Sequence, residues 1–197
     1  MTTTIIPLNL IYDYPVNWSR FKTLRDFVQN FFDAVGWQNW STRFSFEIAN
    51  NTLTLRATDI GFSYDWLLHI GASTKREGNH AGYFGEGFKI ASLCATRDHG
   101  WNVALSSQNW SLKVCSSPIL VDDRTQSSLA YEIDTQGKSS HDTVMSLYPF
   151  YDRPLMQFCR RQVDASSIRI GLVIFQPVCS RTNHAAVNDA LIQIDHR

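Results

Sequence analysis

What the sequence is short of narrows its function first. It has no charge imbalance: 18 Lys and Arg stand against 18 Asp and Glu, a net of +0. Without excess positive charge there is no general pull toward nucleic acid or an anionic membrane surface. Nucleic acid is therefore not indicated as a partner, a local basic patch aside. The four cysteines, Cys94, Cys115, Cys159 and Cys179, are too widely spaced for a CxxC pair. A chain of this size needs no disulfide staple, so reduced cytosolic thiols are expected, with two disulfides as the alternative. The six histidines show no HExxH or other metal-ligand spacing. No apolar run is long enough to cross a bilayer. No basic segment precedes the apolar residues of MTTTIIPLNLIYDYP, so no signal peptide is expected. Together these absences lead to the expectation of a soluble, cytoplasmic protein without a membrane partner.

What is present is an ordinary globular mixture, 44% apolar and 18% charged, over 197 residues, enough for one sizeable core. Residues 19–36, SRFKTLRDFVQNFFDAVG, read as one amphipathic helix. Ser19 can accept a first-turn amide, and Gly36 can take the left-handed conformation that ends a helix. Leu24, Phe27, Val28, Phe31 and Val35 recur at helical spacing and commit one stripe to a core. Opposite them stand Asp26, Asn30 and Asp33, at i, i+4 and i+7, within an arc of about 60°. Asn and Asp are indifferent helix formers. Their gathering on one face is either a solvated surface or a wall of oxygens facing a site.

Further along, residues 5–12 read as a short strand. Residues 37–40 read as a connection, and 43–49 with 53–58 as a hairpin turning at Asn50-Asn51. Residues 62–70 read as a short helix, and 101–106 with 110–115 as a second hairpin. Strands follow at 129–133, 143–147 and 168–175, and helices at 155–163 and 185–192. The mixture predicts an α+β fold: a two-layer sandwich with a mostly antiparallel sheet and helices on one face. With no repeat or low-complexity linker, residues 1–197 read as one domain.

Two more features carry chemistry. Asp59-Ile60-Gly61 follows a strand end: a carboxylate there can accept from an exocyclic amine, and the glycine lets a flat ring approach the backbone. Asp-x-Gly is also a common turn. The run from Gly82 through Tyr83, Phe84, Gly85, Glu86, Gly87 and Phe88 to Lys89 opens a helical pattern. Glycines there let amides turn toward an anion, helped by the positive end of the helix, and a plain turn is the alternative. It is neither a Walker loop nor a Rossmann fingerprint.

The order of these three features resembles the GHKL, or Bergerat-fold, ATPases, which include DNA gyrase, the ninety-kilodalton heat-shock chaperones, histidine kinases, MutL and the MORC proteins. LRDFVQNFFDA resembles the first motif and ATDIGFS the second. IGASTKREGNHAGYFGEGFKIASL resembles the lid and third motif, with wording nearest the MORC and chaperone types. Asp142-Thr143-Val144 resembles the last motif. The resemblance covers about residues 18–150, leaving 151–197 as a C-terminal helix and strand extension.

The resemblance implies a Mg²⁺-dependent ATP site. Asn30 would coordinate Mg²⁺ through its side-chain oxygen. Asp59 would hold the adenine amine, Gly61 would lie beside the ring, and Thr143 would support Asp59 and the base through water. Gly82, Gly85 and Gly87, with Tyr83, Phe84, Glu86 and Phe88 between and after them, would wrap the triphosphate. Lys89 and the lid residues Ser73, Thr74 and Lys75 would stand nearby. Asp33 would face the base and sugar, and Asp26 would orient and deprotonate the attacking water. The implied activity is slow ATP hydrolysis driving a switch in which nucleotide orders the 70–85 lid. The ordered lid would then change a homodimer or partner surface. Three positions depart from the family pattern: Asp26 for the usual Glu, Ser63 for Gly, and Asp142 for Gly. The first makes binding without hydrolysis, by a scaffold, the rival expectation. The length fits either the ATPase module of a longer chain or a small stand-alone member. His69, His80, His99 and His141 read as surface or packing residues.

Overall fold

The computed structural model describes residues 3–69, 86–137, 139–151 and 155. The first element, β1 (Thr3–Ile11), precedes the long helix α1 (Arg20–Val35) and the single turn α2 (Trp40–Arg43). The strands β2 (Phe44–Ala49) and β3 (Thr52–Ala57) follow, then a second single turn, α3 (Asp65–Leu68). The chain continues through α4 (Gly87–Arg97), β4 (Asn102–Gln108), β5 (Trp110–Val121), β6 (Arg124–Asp134) and β7 (Ser140–Tyr148). The seven strands form one sheet in the order β1-β6-β5-β4-β7-β3-β2, and every neighbouring pair is antiparallel. The class is α+β, an antiparallel sheet with a few helices packed on it.

Alternation along the strands explains which face is covered. Leu53, Leu55 and Ala57 of β3, Val103 and Leu105 of β4, and Met145 and Leu147 of β7 are buried, while their neighbours are less so. Against these side chains the apolar stripe of α1 closes the core, with Leu24, Phe27, Val28, Phe31 and Val35 all buried. Phe27 and Phe88 meet edge to face at 5.6 Å, which joins α1 to α4.

The boundaries of α1 agree with the sequence. Ser19 Oγ accepts the Lys22 amide at 3.2 Å, and Gly36 donates to Phe32 O at 2.8 Å. Gly36 adopts φ 77° but ψ 150°, a glycine-only extended conformation rather than the expected left-handed helical one. Asn50 and Asn51 both have positive φ, 50° and 58°, as a two-residue type I′ turn requires.

Three expectations need correction. The helix expected over 62–70 shrinks to the single turn of α3. Residues 37–40, expected to be a plain connection, lead into the helical turn α2, where Trp40 stacks on Phe44 at 3.8 Å. The hairpin of β5 and β6 runs on to Asp122-Asp123, well past the segments expected from periodicity. Its outer part contains Pro118 and many polar residues, and pairing across the hairpin, from Ser117↔Ser128 to Val121↔Arg124, makes it a strand pair. The expectations for residues 156–163, 168–175 and 185–192 lie outside the described residues, while Leu155 is buried in the core. No described helix is long and apolar enough to cross a membrane.

Candidate functional site

The polar face of α1 meets the start of α4. Asp26, Asn30 and Asp33 are all partly buried. A β-carbon placed on Gly87 would lie 2.8 Å from Asp26 Oδ2, so glycine at the first position of α4 is what lets the carboxylate come this close. The first amides of a helix lack intrahelical partners and carry partial positive charge, which suits a neighbouring anion. Asn30 Nδ2 donates to Asp26 O at 2.7 Å. A carbonyl can only accept, so this bond fixes the amide orientation and turns Asn30 Oδ1 away as an acceptor. Asp33 Oδ1 accepts from Gln29 Nε2 at 2.8 Å.

The Asp59 turn sits at one end of the sheet and is held from several sides. Asp59 has φ 56°, a left-handed conformation that Asp tolerates better than most residues. Its side chain is exposed. Its amide donates to Asp142 Oδ1 at 3.2 Å, and Arg56 Nη1 donates to Asp142 Oδ2 at 2.7 Å. The Asp59 amide first, and Arg56 second, hold the Asp142 carboxyl below the usual carboxylate range. Thr143 Oγ1 donates to Ile60 O at 2.6 Å and lies 2.9 Å from Ser107 Oγ. Because the single Thr143 proton goes to Ile60, the Ser107 hydroxyl supplies the proton of the second bond. Ser107 Oγ in turn accepts the Phe62 amide at 3.2 Å, and Trp110 Nε1 donates to Phe62 O at 2.8 Å. Thr143 therefore bonds the backbone beside Asp59, while Asp142, an apparent departure, bonds Asp59 itself. Gly61 is exposed, and a β-carbon there would meet Gln108 Cγ at 3.1 Å.

A chain of contacts relates these pieces. Phe31 of α1 meets Phe44 of β2 at 5.8 Å, and Phe44 pairs with Ala57, two residues before Asp59. The C-terminal half of α1, with Asn30 and Asp33, thus lies at the Asp59 end of the sheet. From that end the chain leads through α3 to His69, whose carbonyl accepts from Lys89 Nζ at 2.6 Å. Lys89 is buried in α4, and burial lowers its pKa against a smaller opposing effect of Glu86. Its ammonium therefore points inward to a backbone carbonyl. Phe88 packs between Phe27 and Tyr131, and Glu86 is exposed ahead of α4. Ser73, Thr74, Lys75, Gly82, Tyr83, Phe84 and Gly85 lie outside the described residues.

Among the described residues no cluster of three or more His, Cys, Asp or Glu could hold a metal by itself. A recess of about 410 Å³ lined by Asp13, Tyr14, Asn17, Arg97 and Asp98 lies at the other end of α4, away from this site. Cys94 and Cys115 carry free thiols, each raised in pKa chiefly by burial. His99 packs on Trp101 with Nε2 3.2 Å from Thr23 Oγ1, as expected of a packing histidine. Ser107, Trp110 and Asp142 were not among the expected site residues. Their partners in the turn are 45 to 83 positions away, beyond the reach of local spacing.

The acidic face of α1 thus adjoins the start of α4, and α1 packs through Phe31 on the strand pair from which the Asp-x-Gly turn leaves. No protein-family model matches the chain, and no curated protein matches it.

Proposed function

We propose that the chain is a Mg²⁺-dependent ATP-binding module of the Bergerat type, using the residues its motifs supply. The observation that carries the reading is the seat of Asp26 against Gly87: the acidic helix and the glycine-opened helix are in contact although 61 positions separate them. The donor set also fits. Asn30 Oδ1 is a hard oxygen ligand, and Mg²⁺ in nucleotide sites takes few protein ligands, completing its shell with phosphates and water. Bound Mg²⁺ would neutralise phosphate charge. Asp59 would accept from the purine amine, and the start of α4 would face the phosphates. Asp26 would hold the proton-accepting position for water, and nucleotide binding would bias the 70–85 segment and, through it, a protein partner or a second copy.

A second reading, nucleotide binding without turnover, is favoured by one observation. Asp26 is a methylene shorter than the usual Glu and sits close against the first residue of α4. A displacement of about 1 Å can cost roughly 100-fold in rate. Both readings predict calorimetric binding of a non-hydrolysable ATP analogue with Mg²⁺. They also predict that Asp59→Asn weakens it by about threefold or more, because the carboxamide oxygen still accepts but without the charge. Absence of binding, or binding indifferent to Asp59→Asn, overturns both. Phosphate release that falls in Asp26→Ala and rises in Asp26→Glu selects the enzyme. No release from the wild type or from Asp26→Glu selects the scaffold.

A further inference from the structure

We infer that Asp142 is the positioning residue for Asp59: its side-chain oxygen, by accepting the Asp59 amide, sets the turn on which Asp59 is carried and thereby the affinity of the site. This rests on the nucleotide-binding function proposed above.

Both oxygens of Asp142 are engaged, Oδ2 with Arg56 Nη1 at 2.7 Å and Oδ1 with the Asp59 amide at 3.2 Å. A carboxylate pinned at both oxygens cannot rotate about its last bond without breaking one contact. The two anchoring residues sit on adjacent strands, where Ala57 pairs with Thr143 and Arg56 with Val144. The latch therefore refers the turn directly to the sheet. Asp59 needs such a reference, because its positive φ places it outside the conformations a non-glycine residue ordinarily prefers. Among the described residues no other side chain bonds its amide. Thr143 reaches Ile60, and Ser107 and Trp110 reach Phe62. The group at position 142 is thus the one that fixes the direction in which the Asp59 carboxylate leaves the turn.

The rival is a surface ion pair with Arg56 that steadies the strands and nothing else. Asp142→Asn separates the two, since the amide oxygen still accepts from Asp59 while the charge facing Arg56 is gone. Asp142→Ala removes both contacts, and Arg56→Met removes only the ion pair. The test is calorimetry with a non-hydrolysable ATP analogue and Mg²⁺, alongside hydrogen exchange of the Asp59 amide and melting temperature.

The expected result is affinity about tenfold weaker in Asp142→Ala, as for one charge-assisted hydrogen bond, and within about threefold of wild type in Asp142→Asn and Arg56→Met. Exchange at Asp59 should accelerate in Asp142→Ala alone, with the amides of β3 and β7 still protected as the check on folding. Equal loss of affinity in the Ala and Asn variants overturns the inference in favour of the ion pair. Wild-type affinity in Asp142→Ala overturns it while leaving the proposed function standing. A wild-type protein that binds no nucleotide overturns the function, and this role with it.

Discussion

Gly87 is explained by what its missing side chain would strike. Within a helix alanine is ordinarily the better residue, by up to about 1 kcal/mol in the interior and less at the first position. Here the new methyl would press on Asp26 Oδ2, 2.8 Å away, and the carboxylate would have to move. Gly87→Ala is therefore expected to gain nothing, or to lose stability, in urea denaturation. In an Asp26→Ala background the same change should stabilise, giving a coupling of about 0.5 kcal/mol or more. Additivity would mean that the close approach does not select glycine. Residue-level legibility was uneven for a physical reason. Asp26, Asn30 and Asp33 share a face because 3.6 residues make a turn, and any reader of the sequence can count that. Asp142 looked like a defect in a motif. Its partner is visible only once β7 lies beside β3 and brings it to an amide 83 positions earlier.

Among the elements, α4 is tied down at its far end by one side chain. Arg97 donates to the carbonyls of Tyr12, Tyr14 and Val16, and also binds Asp98 through Nε at 2.6 Å and Nη2 at 2.9 Å. A single guanidinium thus fastens the end of the helix to the loop between β1 and α1. Arg97→Ala should cost on the order of 3 kcal/mol in urea denaturation, since several charge-assisted bonds vanish and carbonyls lose their donor. Arg97→Lys should recover little, because one ammonium cannot reproduce the planar fork. A loss below about 1 kcal/mol would show the clamp to be incidental. At this level the sequence was most readable where local rules act alone, as in the cap of α1 and the Asn50-Asn51 turn. It was least readable in the outer part of the β5–β6 hairpin, where proline and serine argue for a loop and only the partner strand makes a sheet.

For the molecule as a whole, the groups with displaced pKa values predict how stability responds to acid. His99 is held below its ordinary 6.5, first by burial and then by the charge of Arg20. The native state therefore resists a proton that the unfolded chain accepts. Stability should be full above pH 6.5 and decline as pH falls through the window beneath it. Asp98, held down first by Arg97, and Asp142, held down first by the Asp59 amide, are both below their ordinary 3.8. Their contribution is present above that value and is lost as pH falls toward their lower native values. Urea midpoints measured from pH 8 downward should thus fall in two stages. His99→Gln should remove the upper one, and a decline that persists unchanged in that variant would assign it elsewhere.

From its residues alone the chain declared an amphipathic helix with its core stripe, two hairpins and an α+β class, because each depends on periods and turn chemistry within a few positions. Tertiary structure decided that α1 and α4 touch through Asp26 and Gly87, that Lys89 turns inward to His69, and that Asp142 bonds the Asp59 amide while Thr143 bonds the Ile60 carbonyl. Contacts of that kind join residues 20 to 83 positions apart. They are set by how a covered sheet face and an apolar helix stripe exclude water together, which no local stretch of sequence contains.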